Sequence, residues 1–125
     1  VVLVAQCAKE TGWGRFGGAV TPSMNNPCGL KVRNPTGDTT ADHALFPDMA
    51  TGARAHADHL SLYAGRVPAG YDSPDDSPDP RAVYVWPGGP RFGSAPTVEQ
   101  LGGLWAPSPT YGEEIVGIMT RLLGS

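Results

Sequence analysis

The apolar positions of this chain fall into helical patterns separated by long stretches without a period. Residues 1–8 are almost entirely apolar and point nearly all round, which predicts a central, buried helix over residues 1–10. Gly12 and Gly14 then stop it, since glycine readily takes the left-handed conformation that ends helices. Ala53, His56, Ala57, Leu60, Tyr63 and Ala64 recur at helical spacing and predict a second helix over residues 51–64. Thr51 is its expected N-cap and Gly65 its stop. Arg54 and Asp58, four apart, are expected to pair on its outer side. Ile115, Met119 and Leu122 form the inward stripe of a last helix, opened by Ser108-Pro109 with proline at its first position. A short helical turn is expected over residues 97–101, capped by Thr97 and ended by Gly102-Gly103.

Between the first two helices the period changes. Gly29-Leu30-Lys31-Val32 and His43-Ala44-Leu45-Phe46 flank the turn Asn34-Pro35-Thr36-Gly37-Asp38 and predict a small β-hairpin. Residues 66–96 carry no pattern, and Ser73-Pro74-Asp75-Asp76-Ser77-Pro78-Asp79-Pro80 excludes regular structure. The fold class is α+β, mainly α. A length of 125 residues with 17 glycines and 13 prolines describes one domain of short elements and many loops. No apolar run is long enough to span a bilayer. Val1 to Ala5 lacks the basic leader region of a signal peptide. A start inside a helix, without methionine, suggests a domain excised from a longer chain, with part of an N-terminal helix missing.

A net charge of −3 argues against a nucleic-acid binder and offers no basic face to an anionic membrane or wall polymer. Cys7 and Cys28 either close a disulfide or remain buried thiols. His56 and His59 lie three apart without a third ligand and read as ordinary packed or hydrogen-bonded histidines. The five carboxylates between Asp72 and Glu99 fit no EF-hand spacing. No metal or cofactor is expected.

Candidate chemistry gathers around Glu10. A carboxylate at the C-terminal end of a helix meets the negative end of the helix dipole, which opposes ionisation. Trp13 beside it sheds water, which also raises a carboxyl pKa. Glu10 is therefore a candidate general acid. Asn25 and Asn26 offer amides suited to sugar hydroxyls and acetamido groups, or to capping the backbone. Asp38, Asp42 and His43 are candidate second acids or bases facing Glu10, or ordinary turn residues. Tyr84, Trp86 and Phe92 either stack on pyranose rings or pin the long loop to the core.

Three segments in order resemble the glucosaminidase family of the lysozyme superfamily, glycoside hydrolase family 73. Ala5-Gln6 through Glu10-Thr11-Gly12-Trp13-Gly14 resembles the family's helix-end motif, Ala-Gln followed by Glu-Ser/Thr-Gly-x-Gly. Asn25-Asn26-Pro27-Cys28-Gly29-Leu30-Lys31 resembles Asn-x-Phe-Gly-Ile-Lys. Trp105-Ala106-Pro107-Ser108-Pro109-Thr110-Tyr111 resembles Tyr-Ala-Thr-Asp-Pro-x-Tyr. The resemblance implies a lysozyme-like fold, with a helical lobe, a small β-wing and a substrate groove between them. It implies hydrolysis of the β-1,4 bond after N-acetylglucosamine in peptidoglycan, with Glu10 as general acid. Asp42 or His43 would hold a water in place of the family's wing Glu, or the substrate's acetamido group would complete displacement. Trp13, Asn25, Asn26, Tyr84, Trp105 and Tyr111 would contact the glycan, Trp105 standing where the family has a tyrosine. Action at the cell wall by a secreted autolysin or a phage lysin follows, as a monomer anchored by a module elsewhere. The competing expectations are a lytic transglycosylase and a non-catalytic glycan-binding domain.

Overall fold

In the computed structural model, which describes residues 1–124, the helices are α1 (Val2–Thr11), α2 (Met49–Tyr63), α3 (Ala82–Val85) and α4 (Tyr111–Gly124). Single 3-10 turns at Pro22–Met24, Thr40–Asp42, Pro74–Asp76 and Val98–Leu101 punctuate the loops.

Helix α1 ends at Gly12, whose φ of 59° lets its N–H turn back to the carbonyls of Ala8 and Lys9. It buries only Ala5, Gln6, Ala8 and Thr11. Val1, Leu3 and Val4 face outward. The expectation of a helix buried all round is thus corrected: α4 covers one face of α1, and among the described residues the outer face stays open.

Helix α2 starts earlier than expected. Asp48 is the N-cap, its Oδ1 accepting both the N–H and the hydroxyl of Thr51 at 2.7 Å. Gly65, with φ 87°, stops the helix as expected. The buried face carries Gly52, Ala55, His56, Asp58, His59, Leu62 and Tyr63, while Ala53 and Ala64 are exposed. The reason for this rotation is steric. A side chain at Gly52 would place its Cβ 1.7 Å from the carbonyl oxygen of Asn25, so only glycine lets that loop cross the helix. Asp58 also turns inward, accepting hydrogen bonds from Tyr71 Oη at 2.8 Å and Ser77 Oγ at 2.6 Å. The outward ion pair with Arg54 does not form.

Helix α4 begins two residues after Pro109, with Tyr111 N–H bonded to the Ser108 carbonyl. Its inward stripe is Tyr111, Ile115 and Ile118, with Met119 partly buried and Leu122 at the surface. The turn at Val98–Leu101 follows Thr97, whose N–H and hydroxyl both reach Gln100 Oε1. The main core joins Ala5 and Ala8, Leu62 and Tyr63, Ala82 and Val85, Leu101, and the α4 stripe. A smaller core under the wing holds Cys28, Leu30, Ala44, Phe46 and Ala55. Trp105 packs against both.

The expected hairpin shrinks to one antiparallel bridge, Lys31 with His43, flanked by Val32 N–H to Asp42 O at 2.9 Å and Ala44 N–H to Leu30 O at 2.8 Å. The 3-10 turn at Thr40–Asp42 interrupts the return strand. Asn26, 1% exposed, supplies the missing ladder. Its Nδ2 donates to Leu30 O at 2.8 Å and Ala44 O at 3.0 Å, and its Oδ1 accepts from Leu30 N–H at 3.0 Å. Cys7 and Cys28 are free thiols, and no bridge links them.

The long irregular stretch is fixed by consecutive residues of α2. Asp58 holds Tyr71 and Ser77, and His59 holds Asp79. The Asp76 carboxylate caps its own turn through the N–H groups of Asp72 and Ser73.

Replacing Asn26 with alanine strands the Ala44 carbonyl and the Leu30 N–H, while Leu30 O keeps its bond from Ala44 N–H, and is expected to lower unfolding free energy by about 3 kcal/mol. Urea denaturation followed by circular dichroism measures it.

Candidate active site

The irregular stretch, the wing and the helical lobe enclose a groove of about 520 Å³. Glu10, Cys28 and Gly29 line its base. Lys31 and Asp38 come from the wing, His59 and Tyr63 from α2, and Trp105 from the segment before α4. Arg81, Tyr84 and Arg91 come from the stretch between α2 and α4.

Glu10 sits in the last turn of α1, one side open to water. Its Oε2 lies above Gly29, where an added Cβ would sit 3.7 Å away. Oε1 accepts the hydroxyl of Tyr111 at 3.1 Å. The Tyr111 oxygen in turn accepts from Gln6 Nε2 at 3.1 Å, and Gln6 Oε1 lies 2.9 Å from His56 Nε2. An amide oxygen only accepts, so His56 must donate from Nε2. The chain therefore runs one way, from His56 through Gln6 and Tyr111 to Glu10.

The electrostatics agree with that direction. Burial pushes the Glu10 carboxyl above its ordinary value, against the opposing pull of the Tyr111 hydroxyl, Lys9 and His43. Burial and the neighbouring Glu10 hold the Tyr111 phenol far above its usual range, so it remains a donor. Burial, assisted by His59, lowers His56 to about 4 and leaves it neutral near pH 7. With Oε1 occupied by a donated proton, a proton on Glu10 belongs on Oε2, the oxygen beside Gly29. Lys9 braces this end of α1 through an ion pair with Glu114 at 3.0 Å.

The other candidate residues are distributed unevenly. Tyr84 and Trp105 line the groove with Glu10, and Tyr111 stands directly behind it. Tyr84 is tied to the wing by hydrogen bonds to Arg33 O at 2.8 Å and Asn34 Oδ1 at 3.0 Å, with the Arg81 guanidinium over its ring. Trp86 and Phe92 pack on the main core. Trp13 lies away from the groove lining, 55% exposed, with the Arg121 guanidinium 5.9 Å from its ring centre. Asn25, at φ 54°, donates to Phe46 O at 3.1 Å, and Asn26 is committed to the wing backbone.

Asp42 and His43 also lie outside the groove lining. Both Asp42 oxygens accept from Thr39 and Thr36, which holds its carboxyl well below the usual range. His43 Nδ1 is bonded to Thr39 O at 2.7 Å, yet the ring is near enough to favour the ionised form of Glu10. The wing carboxylate that does line the groove is Asp38, paired with Lys31, which lowers its pKa.

Lys31, His59, Tyr63, Arg81 and Arg91 line the groove beyond the residues chosen from the sequence. Lys31 ends the second motif, a signal that was available. Arg81 and Arg91 lie in an aperiodic stretch and carry none.

Residues 1–123 match the family model named Glucosaminidase, described as mannosyl-glycoprotein endo-beta-N-acetylglucosaminidase. The chain belongs to the glucosaminidase family. A curated relative, an uncharacterized protein of Borreliella burgdorferi, is 30% identical over 122 residues, covering 98% of this chain. The chain spans 53% of that relative's length. No solved structure matches.

In this glucosaminidase-family chain, the first family-like motif and the tyrosine of the third meet at one hydrogen bond, Tyr111 to Glu10. Their sequence separation is 101 residues.

Two titration predictions follow from that bond. Tyr111→Phe removes a donor that favours the carboxylate, so the Glu10 pKa rises further; carboxyl-carbon NMR titration reads the shift. A carboxyl that holds its proton more tightly folded than unfolded favours the native state below the unfolded value near 4.5, and that contribution is lost as pH rises through the folded pKa. Glu10→Gln should therefore melt higher than wild type at neutral pH. The gap should close near pH 3, roughly where both forms of Glu10 are protonated.

Proposed function

We propose that this glucosaminidase-family chain is an endo-β-N-acetylglucosaminidase cleaving the β-1,4 bond after N-acetylglucosamine in peptidoglycan, with Glu10 as general acid. The observation that carries this reading is the Glu10 carboxyl at the groove base, its proton affinity raised by burial and its Oε1 held by Tyr111. Oε2 gives its proton to the glycosidic oxygen as the bond to the anomeric carbon breaks. The Tyr111 hydroxyl then stabilises the carboxylate that remains.

The walls suit the polymer. Trp105 and Tyr84 offer ring faces for sugars, and Lys31, Arg81 and Arg91 offer positive charge to the carboxylates of muramic acid and the stem peptide. Attack at the anomeric carbon falls to the substrate's acetamido group or to a water. Asp42, with both oxygens committed, serves as a wing brace. His43 is felt electrostatically by Glu10 but also lies outside the groove lining. The site of action is the cell wall, with anchoring supplied by other segments because the net charge is −3.

The test is digestion of purified peptidoglycan by wild type and Glu10→Gln, with product mass spectrometry. Wild type should release reducing-end N-acetylglucosamine, and the variant should lose about 10²–10⁴-fold in rate with unchanged circular dichroism. Activity should fall as pH rises through the raised Glu10 pKa, because the acid must carry its proton. Products with 1,6-anhydro ends would instead make the chain a lytic transglycosylase. Binding without products would make it a glycan-binding domain.

A further inference from the structure

The groove contains a second built unit that the reading above does not use. His59 projects from α2, one turn after His56, and its Nδ1 lies 2.6 Å from Asp79 Oδ2. The Asp79 side chain is fully enclosed, and its Oδ1 accepts the Arg81 N–H at 2.8 Å. The His59 ring is wedged edge-on against Trp105 at 4.9 Å and Tyr63 at 5.3 Å. Three neighbours thus set its orientation. In the neutral ring, Nδ1–H donates to the Asp79 carboxylate, which leaves the lone pair on Nε2. Among the described residues Nε2 has no protein partner, and no enclosed side-chain nitrogen or oxygen goes unpaired. Because His59 lines the groove, Nε2 opens onto the groove's water.

We propose that His59, oriented by Asp79, is the general base that activates the attacking water in the reaction proposed above. The water oxygen bonds to the anomeric carbon and its proton passes to His59 Nε2. In the same step the glycosidic bond breaks, and the departing oxygen takes the proton from Glu10. Solvent then removes the proton from His59 and returns one to Glu10. Atoms and charge balance, and no further reactant is needed.

Charge pairing and burial disfavour Asp38 and Cys28 for this role. Asp38 is exposed and neutralised by Lys31, which lowers its affinity for a proton. The Cys28 thiol is pushed well above its usual range by burial and by Glu10, so it stays protonated and inert. Asp79 also raises Cys28, which puts the Asp79 carboxylate and Glu10 within electrostatic reach of one sulfur. The pair also helps Asp58 tie the loop, but that tie uses only Nδ1 and leaves Nε2 open to the groove.

This inference rests on the proposed glycosidase reading, and the experiment separates the two. Wild type, Glu10→Gln, Asp38→Asn and His59→Asn are assayed on solubilised peptidoglycan with and without sodium azide. The asparagine amide retains a donor toward Asp79 but has no counterpart to Nε2. His59→Asn should stay folded by circular dichroism with a lowered melting temperature, lose about 10²–10⁴-fold in kcat with little change in KM, and recover rate in azide. A glycosyl azide product identifies that rescue by mass, an outcome a packing residue does not give. If asparagine prevents folding, His59→Gln carries the same expectations.

A His59 variant with near wild-type kcat, beside an inactive Glu10→Gln, overturns the His59 role alone. So does a rate loss without azide adduct, or azide rescue of Asp38→Asn in place of His59→Asn. A wild type that never cleaves the polymer overturns both readings.

Discussion

One directed hydrogen-bond chain governs the groove: His56 to Gln6, Gln6 to Tyr111, Tyr111 to Glu10. It joins α2, α1 and α4. Each member has a single arrangement that leaves no buried polar atom unpaired, so the direction of every proton is set by the chemistry of Gln6. An amide that accepts on one side must donate on the other. In a low-dielectric interior such a chain strengthens its own links, and a missing link is costly. The consequence at Glu10 is a carboxyl with one oxygen held from behind and the other facing the groove.

The groove exists because two cores meet without merging. The main core binds the helices, the smaller core supports the wing, and Trp105 contacts both. Trp105 also walls the groove and presses on His59. Its bulk therefore links lobe packing to site geometry. The wing itself is held less by strand pairing than by the Asn26 side chain, which takes the place of a longer ladder. A paired asparagine that looks suited to sugar hydroxyls is thus consumed in building the wing.

Charge is arranged against the average. The chain is acidic overall, yet the groove walls carry Lys31, Arg81 and Arg91, of which only Lys31 forms an ion pair among the described residues. Arg81 and Arg91 are steered by carbonyl and hydroxyl oxygens instead: Arg33 O for the first, Tyr63 Oη and Leu104 O for the second. Holding an arginine by neutral acceptors fixes its position without cancelling its charge, which suits an anionic glycan. These fixed charges support the anionic polymer proposed as substrate.

Local sequence determined what depends on neighbours in the chain. The end of α1 at Gly12, the position of Glu10 on its last turn, the stop at Gly65 and the existence of α2 and α4 were all legible there. Three motifs in order carried the family. The sequence misjudged which face of α2 turns inward, because that depends on a loop crossing at Gly52 from more than twenty residues away. It overstated the hairpin, whose alternation is real but whose return strand is broken by a turn and replaced by a side chain. It read the 66–96 stretch as irregular and His56 and His59 as packed or hydrogen-bonded histidines, as they are, but it could not name their partners, since Asp79 and Trp105 approach His59 only when the chain is folded. Periodicity reports where a residue sits on its own helix. Which partners set its proton affinity is decided by contacts across the fold, and the groove is made almost entirely of those.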